Sequence, residues 1–180
     1  MYSVYSELLV EIGSLVVAAN FLVLLAALIA RVSDKSILIS LTVLCVLNGM
    51  MQWLAFYLES KFGVWDKVLM RHTYYLSFAA LEGAGVYLLL NMHKALKTAP
   101  STTAKAVSFA FAVHATILLV KYYVRMHLSS NPDLNFTDFE VIVEFIYKHA
   151  IPTINISTVI ITIYLTIKAW LNQKEGVRNA

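Results

Sequence analysis

The sequence predicts an all-α integral membrane protein. It reads as a five-transmembrane-helix bundle with a short amphipathic interfacial helix before the last span, one domain over residues 1–180. Three observations predict it. Of the residues, 59% are hydrophobic and 14% charged, where soluble domains carry roughly 25% charged residues. Five apolar stretches are long enough to cross a hydrocarbon core of about 30 Å, which takes about 20 helical residues. None alternates as a barrel strand would, and backbone groups in lipid must pair within their own segment.

The first span covers residues 8–30. Residues 1–11 hold no Lys or Arg, and a cleaved secretory signal needs a basic start, so the stretch is kept as a membrane helix. The second, 37–58, places Cys45, Asn48 and Gln52 on one face, with Glu59 two turns beyond. Cys45 is the single cysteine, which excludes an internal disulfide and a cysteine metal cage; an inert packed thiol is expected. The third and fourth spans are 72–92 and 104–124, and the fifth is 151–171.

Connections 31–36, 59–71 and 93–103 are short, and 125–150 is longer. Inside the long one, Thr137 and Glu140 read as a capping box, and Phe139, Ile142, Val143 and Ile146 recur at helical spacing. Residues 138–149 are therefore expected to form a separate amphipathic helix at the membrane surface, an anchor or, on a functional reading, a lid. Pro152 suits the first turn of the last span or a kink into it.

The Lys and Arg asymmetry sets orientation. With the N-terminus outside, Arg31, Lys35, Lys94, Lys97, Lys105, Lys168, Lys174 and Arg178 are cytoplasmic. Lys61, Lys67, Arg71, Lys121, Arg125 and Lys148 lie outside, and the C-terminus is cytoplasmic. A bacterial inner (plasma) membrane is expected. The formal charge of +3 sits at helix ends, which fits membrane flanks and not a nucleic-acid surface. The partners expected are the lipid bilayer and either further copies of the chain, as a homo-oligomer, or other membrane subunits.

Glu82 stands at the centre of the third span. A carboxylate at that depth costs about 2.5–3.5 kcal/mol on insertion scales, so it faces protein or water. Asn20, Asn48 and His114 lie near the centres of three other spans. The short third connection makes spans three and four antiparallel neighbours, bringing Glu82 and His114 to similar depth. The functional reading is a proton or small-cation path with Glu82 as exchanging group, His114 as relay, and Asn48, Gln52 and Asn20 lining it. The structural reading is a neutral Glu82 and interhelical hydrogen bonds. Arg71, Glu82 and His93 share one face at eleven-residue spacing, either as a polar track or with both ends snorkelling. Asn155, Thr158, Thr162 and Thr166 form a stripe on the fifth span that could line a water path or join helices, with the structural reading ahead because threonines also bond back to their own helix. Ala79 and Gly83 form a small-xxx-small pair where a partner helix could approach.

Arg71, Lys121, Arg125 and Glu59 form the expected polar cluster at the outer mouth. His72, His127 and His149 fall at outer helix ends and are the low-ranked metal candidates; without ligand-type spacing, no metal and no cofactor is expected. No phosphate loop or nucleophile elbow is present, which favours a non-enzymatic role. Three functions follow in order: translocation of protons or a small cation, an accessory or assembly subunit without transport of its own, and a redox or metal protein using the outer histidines.

Overall fold

A computed structural model describes residues 4–128 and 137–178 of the chain. Every regular element among them is helical: α1 (Val4–Ile29), α2 (Lys35–Ser60), α3 (Lys67–Ala95), α4 (Thr102–Tyr123), a π-helical turn (Val124–Leu128) and α5 (Thr137–Arg178). Five helices are long and apolar enough to cross a membrane.

Each expected span is the apolar centre of a longer helix, and local chemistry sets the starts. Asp34 precedes α2 and accepts the backbone N–H of Ser36 (2.9 Å) and Ile37 (3.2 Å). Asp66 does the same for α3 through Val68 (2.8 Å) and Leu69 (3.3 Å). Ser101 caps α4 through Ala104 N–H at 3.3 Å. Each cap satisfies donors that a helix start leaves without intrahelical partners.

Consecutive helices pack side by side, and α5 returns to pack on α1, so the five close into a ring. Contacts between α2 and α4 cross the middle. One end of the bundle gathers Arg31, Ser33 and Gln173, where Gln173 Oε1 accepts Ser33 N–H at 2.9 Å and its amide donates to the Arg31 carbonyl at 3.1 Å. The other end gathers Lys121, Arg125 and Glu144.

The two clusters of buried apolar side chains lie on one side, although Leu58, Met70, Leu118, Val124 and Val143 are buried toward the other end. One cluster joins Ile39, Val43, Leu44 and Leu47 of α2 with Leu89 of α3 and with Val107 and Phe111 of α4. A second joins Ala27, Val32, Ile37 and Leu41, with Trp170 packed against it. Both lie in the half toward Gln173. From residue 49 to 60, α2 buries only Leu58.

The separate interfacial helix expected at 138–149 is corrected. That segment is helical, but it is the first part of the 42-residue α5, which runs on through Pro152. Proline removes one backbone bond, and nearby side chains take up neighbouring carbonyls: Thr153 Oγ1 donates to His149 O (2.6 Å), and His149 Nδ1 to Phe145 O (2.9 Å). Glu144, held by Lys121 and Arg125, ties this half of α5 to α4, and Val143 is buried. Those ties pack the segment against the end of α4. The Thr137 capping box falls outside the described side chains.

Candidate functional site

At the centre of the bundle, α3 and α4 place their two ionisable groups against each other. Glu82 ends 13 residues before the end of α3, and His114 begins 12 residues after the start of α4, so both lie about 18–20 Å from the shared loop. His114 Nδ1 and Glu82 Oε1 are 3.0 Å apart, and both residues are 4% exposed. One proton can occupy this bond in two ways. On Nδ1 it is donated to a carboxylate, and on Oε1 it is donated to a neutral imidazole. The outer atoms of the pair, Glu82 Oε2 and His114 Nε2, are buried with no hydrogen-bond partner among the described residues.

His114 lines a small cavity with Asn20 of α1, Asn48 of α2, and Asn155 and Thr158 of α5, closed on one side by Leu44 and Phe111. Each helix of the ring therefore contributes a polar side chain to the cavity or to the pair beside it. Asn20 is 1% exposed, and both its amide atoms lack a described partner. An orphaned amide in an apolar core costs several times a hydrogen bond's net worth, and ordered water is the usual partner of such a group. The cavity holds about 10 Å³, room for about one water molecule.

Of the residues singled out from sequence, Glu82, His114, Asn48 and Asn20 come together here. Gln52 does not. Its amide donates to Ser14 of α1 at 2.9 Å, joining two helices away from the cavity. From the stripe on the fifth span, Asn155 and Thr158 both line the cavity, and Thr158 also donates to Ile154 O (2.7 Å). Thr162 bonds back to Val159 O at 2.9 Å, whereas buried Thr166 Oγ1 has no described partner.

On the face through Arg71, Glu82 and His93, Glu82 and His93 are buried and Arg71 is exposed. His93 belongs to a second polar node, unforeseen from sequence, that ties the ends of α2, α3 and α4. Its Nδ1 donates to Leu89 O (2.7 Å), which leaves Nε2 to accept from Ser36 Oγ at 2.7 Å in the neutral ring. Ser36 Oγ also accepts Ser101 N–H at 2.8 Å. Only the short spacing of helix ends around serines hinted at this arrangement.

At the opposite end, Lys121 and Arg125 both reach Glu144, the latter at 3.0 Å, and Lys148 joins at 3.2 Å. Arg71 and Glu59 are exposed and take no part in these ion pairs. An aromatic group unforeseen from sequence surrounds the cluster, with Tyr74 bonded to Tyr147 (3.0 Å) and Tyr122 to His72 Nδ1 (2.7 Å). The three outer histidines do not converge. His72 is on Tyr122, His127 stands against Tyr123 and His149 stacks on Phe145. Among the described residues, no group of three or more His, Cys, Asp or Glu is placed to hold a metal ion.

Within the chain, close approach falls at Gly85 against Phe111 and at Gly13, where a Cβ would stand 2.5 Å from Gln52 Oε1. A Cβ at Gly85 would stand 2.6 Å from Phe111 Cδ2, whereas nothing lies within 4 Å of one at Gly83. No known family, no curated protein and no solved structure matches this chain.

Proposed function

We propose that the chain is an integral membrane protein that carries protons through its helical bundle, with Glu82 and His114 as the exchanging pair. On this reading it crosses a bacterial inner membrane five times, N-terminus outside and C-terminus cytoplasmic, in the orientation the Lys and Arg distribution favours. The observation that carries the reading is the buried Glu82–His114 bond beside a cavity with an orphaned His114 Nε2 and Asn20 amide. Intramembrane ionisable groups are costly and are retained where they act. The cavity's size supports a proton over a small cation, because a hydrated ion needs more room than one water. A proton passing from Oε1 to Nδ1 leaves Nε2 to exchange with a guest in the cavity. Asn20 and Asn48 orient that guest.

Proton flux driven by a membrane potential in proteoliposomes tests it. Wild type should conduct, and Glu82→Gln and His114→Ala should abolish the flux. A flux unchanged in Glu82→Gln removes the pair from the path.

A second reading is an accessory subunit of a larger membrane complex, with the central polar groups serving as glue. The observation in its favour is the apolar cluster around Leu47, Leu89, Val107 and Phe111, which fills the bundle between the central pair and His93. No flux from folded, correctly oriented protein, together with a stoichiometric partner lost on Gly83→Leu, would select it.

A further inference from the structure

Lys97 has φ of +49°, in the left-handed region where an L side chain strains the backbone and glycine is usual. It closes the turn after α3, where Leu96 N–H bonds to Met92 O (3.0 Å) and Thr98 N–H to His93 O (2.9 Å). Glycine would close the same turn without strain. The lysine side chain therefore calls for a reason of its own.

Lys97 lines an open cavity of about 400 Å³ together with Lys94, His93, Thr98, Leu90 and Pro100. The lining carries two ammonium groups and no carboxylate. Neither Lys94 nor Lys97 is paired with an acid among the described residues. Asp34, at the same end, is occupied by the backbone of α2. Leu90, 59% exposed, and Pro100 make the remaining wall apolar. The α3 dipole accounts for Lys94, in the last turn of the helix. It gives no reason to hold a strained lysine, in place of glycine, at 97. Arg31, the other non-glycine residue with a left-handed backbone (φ 52°), is also basic and ends a helix on the same side.

We propose that this cavity binds the phosphate of an anionic phospholipid, with Lys94 and Lys97 on the phosphate and Leu90 against the acyl chain. A phosphodiester on a hydrocarbon tail matches two cations above an apolar wall at a helix end. The proposal rests on the membrane placement above and not on proton transport.

The test is native mass spectrometry of the full chain, released from detergent after titration with phosphatidylglycerol or phosphatidylcholine. Wild type should retain one phosphatidylglycerol in preference to phosphatidylcholine. Lys94→Gln and Lys97→Gly should each weaken that preference about fivefold. Lys168→Gln, a cation outside the cavity, should leave it unchanged. Lys97→Gly should at the same time raise the unfolding midpoint in lipid-free detergent, since the strain is gone; this also shows that its lost binding is not misfolding. Equal retention of the two lipids, or a preference unchanged in both cavity variants, overturns the proposal. So does inorganic phosphate stabilising the protein as much as phosphatidylglycerol, since the ligand is then a soluble phosphate. A chain that needs no detergent would instead fail the membrane placement itself, a result visible before any lipid is added.

Discussion

Gly85→Ala is the sharpest test of the packing beneath the central pair. The added Cβ would stand 2.6 and 2.7 Å from two ring atoms of Phe111 and 2.8 Å from Leu47 Cδ1. Real carbons do not approach so closely, so something must move. Phe111 and Leu47 are each 2% exposed and belong to one cluster, so neither can swing into open space. Overpacking of this kind costs about 1–3 kcal/mol. The rigid ring puts the cost toward the upper end. Against it, alanine gains about 1 kcal/mol of helix propensity over glycine. Gly83→Ala, two residues away with nothing within 4 Å, collects the gain without the clash. The difference between the two variants therefore isolates the packing term at about 1–3 kcal/mol, roughly 5- to 150-fold in the folding equilibrium. Reversible unfolding in mixed micelles, followed by circular dichroism, reads it. Equal stability of the two variants would refute the close approach of α3 to Phe111.

Two further outcomes follow from the helix ends. Ser36→Ala leaves His93 Nε2 and Ser101 N–H without their shared oxygen in a buried node, and should lower stability by about 1–3 kcal/mol in the same unfolding assay. Backbone N–H groups of Val68 and Leu69 hold the Asp66 carboxylate below the usual aspartate range, so its capping contribution is full above that range and is lost as pH falls through the lowered value. Asp66→Asn should remove this part of the acid dependence of the unfolding midpoint and leave the neutral-pH midpoint nearly unchanged.

The helices were legible because lipid leaves the backbone no alternative, and apolar length alone then locates each one. The Glu82–His114 contact was legible for a related reason. A buried carboxylate needs a partner, and a short loop between two helices equalises depth on either side of it. Asn20 and Asn48 followed from depth alone. What escaped was whatever depends on rotation about a helix axis. Gln52 shares a face with Asn48, yet Asn48 turns into the cavity and Gln52 meets Ser14. Gly83 and Gly85 differ by about 200° around α3, and only the neighbour's shape decides which one is needed. The Ser36 node escaped because nothing local to that serine reveals a histidine 57 residues away. The interfacial helix was misjudged because Pro152 reads as a boundary in isolation, while the tie from Glu144 to α4 is long-range.

The placement of the two apolar clusters bears directly on how a proton could move. Glu82 and His93 are eleven residues apart on α3, about 16 Å along its axis, and that length is packed with Leu47, Leu89, Val107 and Phe111. Toward the other end, His114 is seven residues from Lys121 on α4, about 10 Å, and the groups there include the half-buried Tyr74–Tyr147 pair and the tie from buried Lys121 to half-buried Glu144. A bundle polar along its whole axis would be an uncontrolled leak. In this one, the central pair has the ion-paired Lys121 and Glu144 toward one end and the Leu47, Leu89, Val107 and Phe111 cluster toward the other. If the bundle carries protons as proposed, the apolar cluster would be the barrier to conduction. On the proposed reading a proton would have to cross this cluster, where α3 and α4 meet through Phe111 packed on Gly85. The same contact that sets stability in Gly85→Ala would thus set the rate of transport, so the two measurements made on that variant bear on a single piece of geometry.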